Sequence, residues 1–128
     1  MIEVREYVDT AGRSPFGQWF MGLNAQAAAK VTSAMKRMEA GNFSNVKGVG
    51  GGVSEYRIDF GPGYRIYLGK DGDALVILVG GSTKKRQSHA IEVARGHWRD
   101  YKRRKRIEKE QNNGTHKRLP RDRTDPRP

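Results

Sequence analysis

YRIDFGPGYRIYL, residues 56–68, decides how this chain is read. Tyr56, Ile58 and Phe60 keep two-residue spacing, as do Tyr64, Ile66 and Leu68, and Gly61-Pro62-Gly63 between them is turn chemistry. The spacing predicts a β-hairpin with one apolar face. A three-residue connection sets Ile58 opposite Ile66, Asp59 opposite Arg65 and Arg57 opposite Tyr67. The second face then carries Arg57, Asp59, Arg65 and Tyr67, placing two arginines in strands that otherwise read as buried. On an ordinary surface Asp59 would pair with Arg65 and Arg57 would stack on Tyr67, contacts worth about 1 kcal/mol or less each. On a phosphate-holding surface the same guanidinium groups would fork onto an anion.

Outward from the hairpin, IEVREYVD (2–9) fits a strand, with Ile2, Val4 and Val8 in phase and Glu6 the exception. Ser14-Pro15 gives a helix start, followed by Phe16, Trp19, Phe20 and Leu23 on one stripe. Asn24 caps a second helix over 25–40, with Ala27, Val31, Ala34, Met35 and Met38 inward, and Gly41-Asn42 ends it. Residues 41–52, GNFSNVKGVGGG, read as a glycine-rich loop lacking both the GxxxxGK[ST] and the GxGxxG order of phosphate cradles. Asp71-Gly72 suits a tight turn. ALVILVGG (74–81) is apolar on both faces, as in a covered central strand, with Leu78 roughly opposite Arg65. Residues 82–106 read as a closing helix with Ile91, Ala94, Trp98 and Tyr101 inward. Helices come together and strands come together, so the expected class is α+β. In it an N-terminal strand and a two-helix hairpin precede an antiparallel three-stranded meander, which completes a four-stranded sheet before the C-terminal helix.

The chain has 128 residues and no cysteine, which excludes a disulfide framework and thiolate chemistry. No run approaches the roughly 18 apolar residues of a membrane helix. The opening MIEVREYVD lacks the basic-then-apolar order of a signal peptide, so a soluble, cytoplasmic protein is expected, without a membrane partner. The net charge of +11 suits a polyanionic partner. Residues 99–128 hold 12 Lys and Arg against 5 Asp and Glu, while the preceding 98 hold 13 against 9. The division expected is a domain over 1–101 and a basic tail over 102–128, disordered from about Gln111 for want of apolar residues.

Three stretches together carry a family likeness: MIEVREY at the start, NVKGVGGGVSEYRIDFGPGYRIYL in the middle, and LVGGSTKKRQ followed by AIEVA. On them, residues 1–101 resemble the RelE/ParE superfamily of bacterial type II toxin–antitoxin toxins, in particular the HigB-like addiction-module killer proteins. That branch usually has one lysine after the double glycine, then glutamine, and an acid before the helical isoleucine. Here Lys84, Lys85 and Arg86 crowd the first position, Gln87 matches, and Ala90 stands where the acid is expected.

The resemblance implies a toxin that cleaves mRNA on the ribosome and a cognate antitoxin, a small helix-turn-helix protein. RNA is cut without metal or cofactor when its own 2′-hydroxyl attacks the adjacent phosphate, so the protein mainly orients the strand and stabilises a dianion. Arg65, matching the family arginine after GPGY, is the first candidate for the scissile phosphate, with Arg57 and Lys84 beside it. Lys85 and Arg86 are candidates for neighbouring phosphates, Tyr67 for stacking a base, and His89 for an acid or base, although a lone histidine early in a helix is more often a polar surface residue. Two other readings stay open: a ParE-like inhibitor of DNA gyrase, and a non-catalytic nucleic-acid-binding protein that relies on the basic tail.

Overall fold

The computed structural model describes residues 1–122, with side chains to residue 112. In chain order the elements are β1 (Glu3–Glu6), α1 (Pro15–Met21), α2 (Ala25–Glu39), β2 (Val46–Gly50), β3 (Val53–Ile58), β4 (Tyr64–Lys70) and β5 (Leu75–Thr83). A single 3-10 turn, Lys84–Arg86, then leads into α3 (Gln87–Asp122). The strands form one sheet in the order β1-β5-β4-β3-β2. Strand β1 lies parallel to β5 and every other pairing is antiparallel, so the class is α+β with a mixed sheet.

Two expectations are corrected. The sheet has five strands and not four, because the glycine-rich stretch expected as a loop supplies β2. Val46, Lys47 and Gly48 pair with Tyr56, Glu55 and Ser54, and the chain reverses through Gly50, Gly51 and Gly52, all at positive φ. Glycine is the residue that takes three such conformations in succession without strain. Its abundance hid the strand, since a side-chain alternation cannot be read where side chains are missing. The helical order also differs, because the Lys84–Arg86 turn stands ahead of α3.

The chain divides into two units, Met1–Trp98 and the residues from Arg99 on. In the second unit α3 continues to Asp122, and Asp100 accepts from Arg104 Nε at 2.9 Å as well as from Arg103. Such one-turn pairs support an exposed helix by a few tenths of a kcal/mol. The disorder expected from Gln111 falls in part on residues 123–128, which lie outside the described residues.

In the first unit one sheet face meets α1 and α2. Phe16, Ala27, Val31, Ala34 and Met38 pack there with Tyr56, Ile58, Tyr64, Ile66, Leu68, Val76 and Leu78. These are the in-phase residues of the quoted hairpin and the inward stripes of both helices, and full burial of each larger side chain contributes roughly 1.5–3 kcal/mol. On β3 and β4 the alternate positions carry Val53, Glu55 and Tyr67, and Gly69 receives the Trp98 ring of α3.

Glu6, the exception in the first strand, has a local reason. Its carboxylate accepts from Ser14 Oγ at 2.5 Å, while Ser14 Oγ accepts from Gly17 N at 2.9 Å and caps α1. Ser14→Ala is expected to lower stability by about 1 kcal/mol, readable as a lower urea midpoint at unchanged slope. An unchanged midpoint would mean that water replaces the cap without loss.

Candidate nucleic-acid interface

The hairpin connection is longer than its turn residues suggest. Phe60 O accepts from Gly63 N at 2.9 Å, closing the turn, but strand pairing begins only at Ile58 opposite Tyr64. Asp59 to Gly63 are therefore all connection, and the register differs from expectation by two residues. Tyr56 lies opposite Ile66, Arg57 opposite Arg65, and Glu55 opposite Tyr67. An even shift leaves each side chain on its expected face and changes only its partner. Asp59 does not face Arg65, and Arg57 does not face Tyr67. On the other side Arg65 pairs with Ser82, not Leu78, which lies opposite Leu68.

Arg57, Arg65 and Ser82 thus form one row across three strands, each about 4.8 Å from the next. Arg57 is exposed, whereas Arg65 is only 4% exposed and so lies beneath the surface. Its Nη1 donates to Tyr64 O at 3.1 Å, and its Nε has no hydrogen-bond partner. Glu55 Oε2, 4.0 Å from that Nε, supplies the counter-charge. Glu55 is itself 1% exposed, and both its oxygens accept from Gln87 Nε2, at 2.8 and 3.1 Å. A buried guanidinium left one donor short is costly in free energy, and the nearby Glu55 carboxylate offsets part of that cost.

Tyr67 is fully buried, which removes it as a platform for stacking a base. Its hydroxyl lies 3.0 Å from Ser82 Oγ, and since Ser82 donates to Thr83 O, Tyr67 is the donor of that pair. Burial raises the Tyr67 pKa above the usual tyrosine value, partly offset by the Ser82 hydrogen bond. At neutral pH it is a neutral donor and not a base.

Lys84 lies beside the hairpin connection. Lys84 N donates to Gly63 O at 3.0 Å, and a methyl group at Gly63 would lie 3.3 Å from Lys84 Cβ and 3.8 Å from Arg65 Nη1. The positive φ of Gly63 and this crowding make glycine the fitting residue. Lys84 and Arg65 therefore flank the same glycine, one exposed and one buried. Lys85 is exposed on the same 3-10 turn, whereas Arg86 and His89 rim a different feature. That feature is an apolar cavity of about 420 Å³ lined by Trp19, Val79, Val93 and Ala94 among others. His89 shares that lining with Ser82, the far end of the row from Arg57.

Glu55 and Gln87 escaped the sequence reading. Glu55 stands two residues before Arg57, hence on the same strand face, and that phase was a readable signal. Gln87 carried no signal apart from the family pattern, because its partner is 32 residues away.

A mixed five-stranded sheet whose hairpin end and β5 terminus bring together Arg57, Arg65 and Lys84 defines an α+β protein with a cationic surface at one sheet end. The chain belongs to the same family as an uncharacterized protein of Haemophilus influenzae, to which it is 42% identical over 81 residues, covering 62% of this chain and 82% of that relative. No protein-family model matches the chain. Among the described residues no helix is long and apolar enough to cross a membrane.

Proposed function

We propose that this protein is the toxin of a type II toxin–antitoxin pair, a cytoplasmic endoribonuclease acting on mRNA at the ribosome and neutralised by a small helix-turn-helix antitoxin. The observation that carries the reading is the placement of exposed Arg57 and Lys84 on either side of buried Arg65, with none of the described acids paired to the two exposed cations. Arg57 and Lys84 hold the phosphodiester. Arg65 lies too deep to touch it, and its charge is met by Glu55, so its part is to hold the sheet end between the two exposed cations. In the reaction the 2′-hydroxyl gives its proton to water as its oxygen attacks phosphorus, the bond to the 5′-oxygen breaks and that oxygen takes a proton from water, leaving a 2′,3′-cyclic phosphate and a 5′-hydroxyl, while the two cations stabilise charge on the phosphoryl oxygens. Alignment of the strand by the ribosome supplies the in-line geometry.

Induced expression without antitoxin is expected to arrest growth and to produce codon-phased mRNA ends. Arg57→Ala and Lys84→Ala should each reduce cleavage about tenfold to a hundredfold, the loss of one charge-assisted phosphate contact. Arrest with intact transcripts would refute the ribonuclease reading, and trapped gyrase–DNA complexes in a supercoiling assay would replace it with gyrase inhibition. Burial of Arg65 and Tyr67 favours one further reading, a non-catalytic RNA-binding protein, since it withdraws two of the expected contact groups. RNA binding that depends on Arg57 and Lys84 without any cleavage would establish that reading.

A further inference from the structure

We infer that a second cationic groove, between α2 and the end of β3, takes the backbone of single-stranded RNA and continues the interface through Arg57; this rests on the RNA reading above. The groove has a volume of about 380 Å³, within the roughly 300–1,000 Å³ typical of ligand clefts. Lys30, Arg37, Lys47 and Arg57 line it, against the single acid Asp59. All four cations are exposed, and none forms an ion pair among the described residues.

The arrangement follows from local structure. Lys30 and Arg37 are seven residues apart on α2, two turns, so they share a helix face. Lys47 is on β2, one of the two edge strands of the sheet, and Arg57 is held nearby through its backbone N–H, which donates to Asn45 O at 3.2 Å. Lys30 Nζ lies 5.2 Å from the centre of the Phe60 ring, which gives that ammonium a fixed position over an aromatic face.

Four like charges against one acid around a single groove repel one another, and a polyanion that displaces their small counter-ions relieves the repulsion. Arg57 lines the groove at the end of the sheet while its strand phase sends its side chain to the Arg65 face, so a chain of phosphates running from Lys84 into the groove would round the sheet end at Arg57. A concave cleft of this size accepts a single strand, whose backbone bends to follow it, and not a rigid duplex.

The test is fluorescence anisotropy with a labelled uridine decamer across a salt series, using the full chain. Lys30→Ala/Arg37→Ala, both exposed positions whose variants should keep the far-UV circular dichroism, is expected to weaken binding about tenfold at moderate salt. It should also reduce the salt slope by about 1.4, the value for two lost phosphate contacts on a single strand. If the double variant binds as the wild type while Lys84→Ala binds more weakly, the groove proposal falls and the RNA reading stands. Weakened binding of the double variant together with intact transcripts in the induction experiment keeps the groove and removes the ribonuclease. Failure of the wild type to bind the decamer overturns both. Displacement of the decamer by an equimolar poly-glutamate decamer would assign the groove to an acidic protein and overturn the RNA proposal.

Discussion

Glu55→Ala is expected to lower the free energy of unfolding by about 3–5 kcal/mol, the effect of leaving a buried charge without its partner. Glu55 Oε2 is 4.0 Å from Arg65 Nε, and Arg65 otherwise has one hydrogen bond, to its neighbour's carbonyl. Removal of the carboxylate leaves a guanidinium at 4% exposure between Arg57 and Ser82 with no counter-charge, and also orphans the Gln87 amide. Urea denaturation read by tryptophan fluorescence measures the loss. Arg65→Met in the Glu55→Ala background should recover part of it, because the uncompensated charge goes with the arginine. A loss below about 1 kcal/mol would mean that Arg65 swings out to solvent when released. The same result would make Arg65 available to a phosphate, so this experiment bears on the interface as well as on the core.

Trp98→Ala should cost about as much, roughly 3–5 kcal/mol, by cavity formation. The indole is seated against two glycines: a methyl group at Gly69 would lie 2.5 Å from its Cε3 and Cζ3, and one at Gly52 would lie 2.6 Å from its Nε1. At 4% exposure the ring has no room to withdraw. Gly69→Ala is accordingly expected to destabilise by about 1–3 kcal/mol through overpacking. The double variant Gly69→Ala/Trp98→Ala should be less destabilised than the sum of the singles, since the added methyl enters the space that the indole leaves. Thermal or urea unfolding of the four proteins closes the cycle. Strict additivity would show that Trp98 is not what occupies the space above Gly69.

The basis of legibility differs from element to element. Both helices of the α1–α2 pair could be read because each announces itself twice, by a capping residue and by an apolar stripe. Ser14 and Asn24 do cap them, and Phe16, Ala27, Val31, Ala34 and Met38 are buried as the stripes require. Strand β2 could not be read, because three consecutive glycines and Gly48 leave too few side chains to show a period. In the candidate interface, Arg57, Arg65 and Lys84 were legible as a group. The depth of Arg65 was not, since nothing in its own strand records that Glu55 and Gln87 would enclose it. Lys30 and Arg37 fall outside the apolar stripe of α2, and only the approach of β2 and β3 turns that side into a groove.

Period and turn chemistry, which act between residues close in the chain, were enough by themselves to define the α+β class, the hairpin and the face of every strand residue around it. Partners across the sheet depended on the true length of the Asp59–Gly63 connection. That length is set by how the hairpin end packs, so Arg57 meets Arg65 and not Tyr67. Which cations stay in water and which is buried on a carboxylate was likewise decided only in three dimensions. Burial is a property of everything that packs above a side chain, and those groups come from distant parts of the sequence.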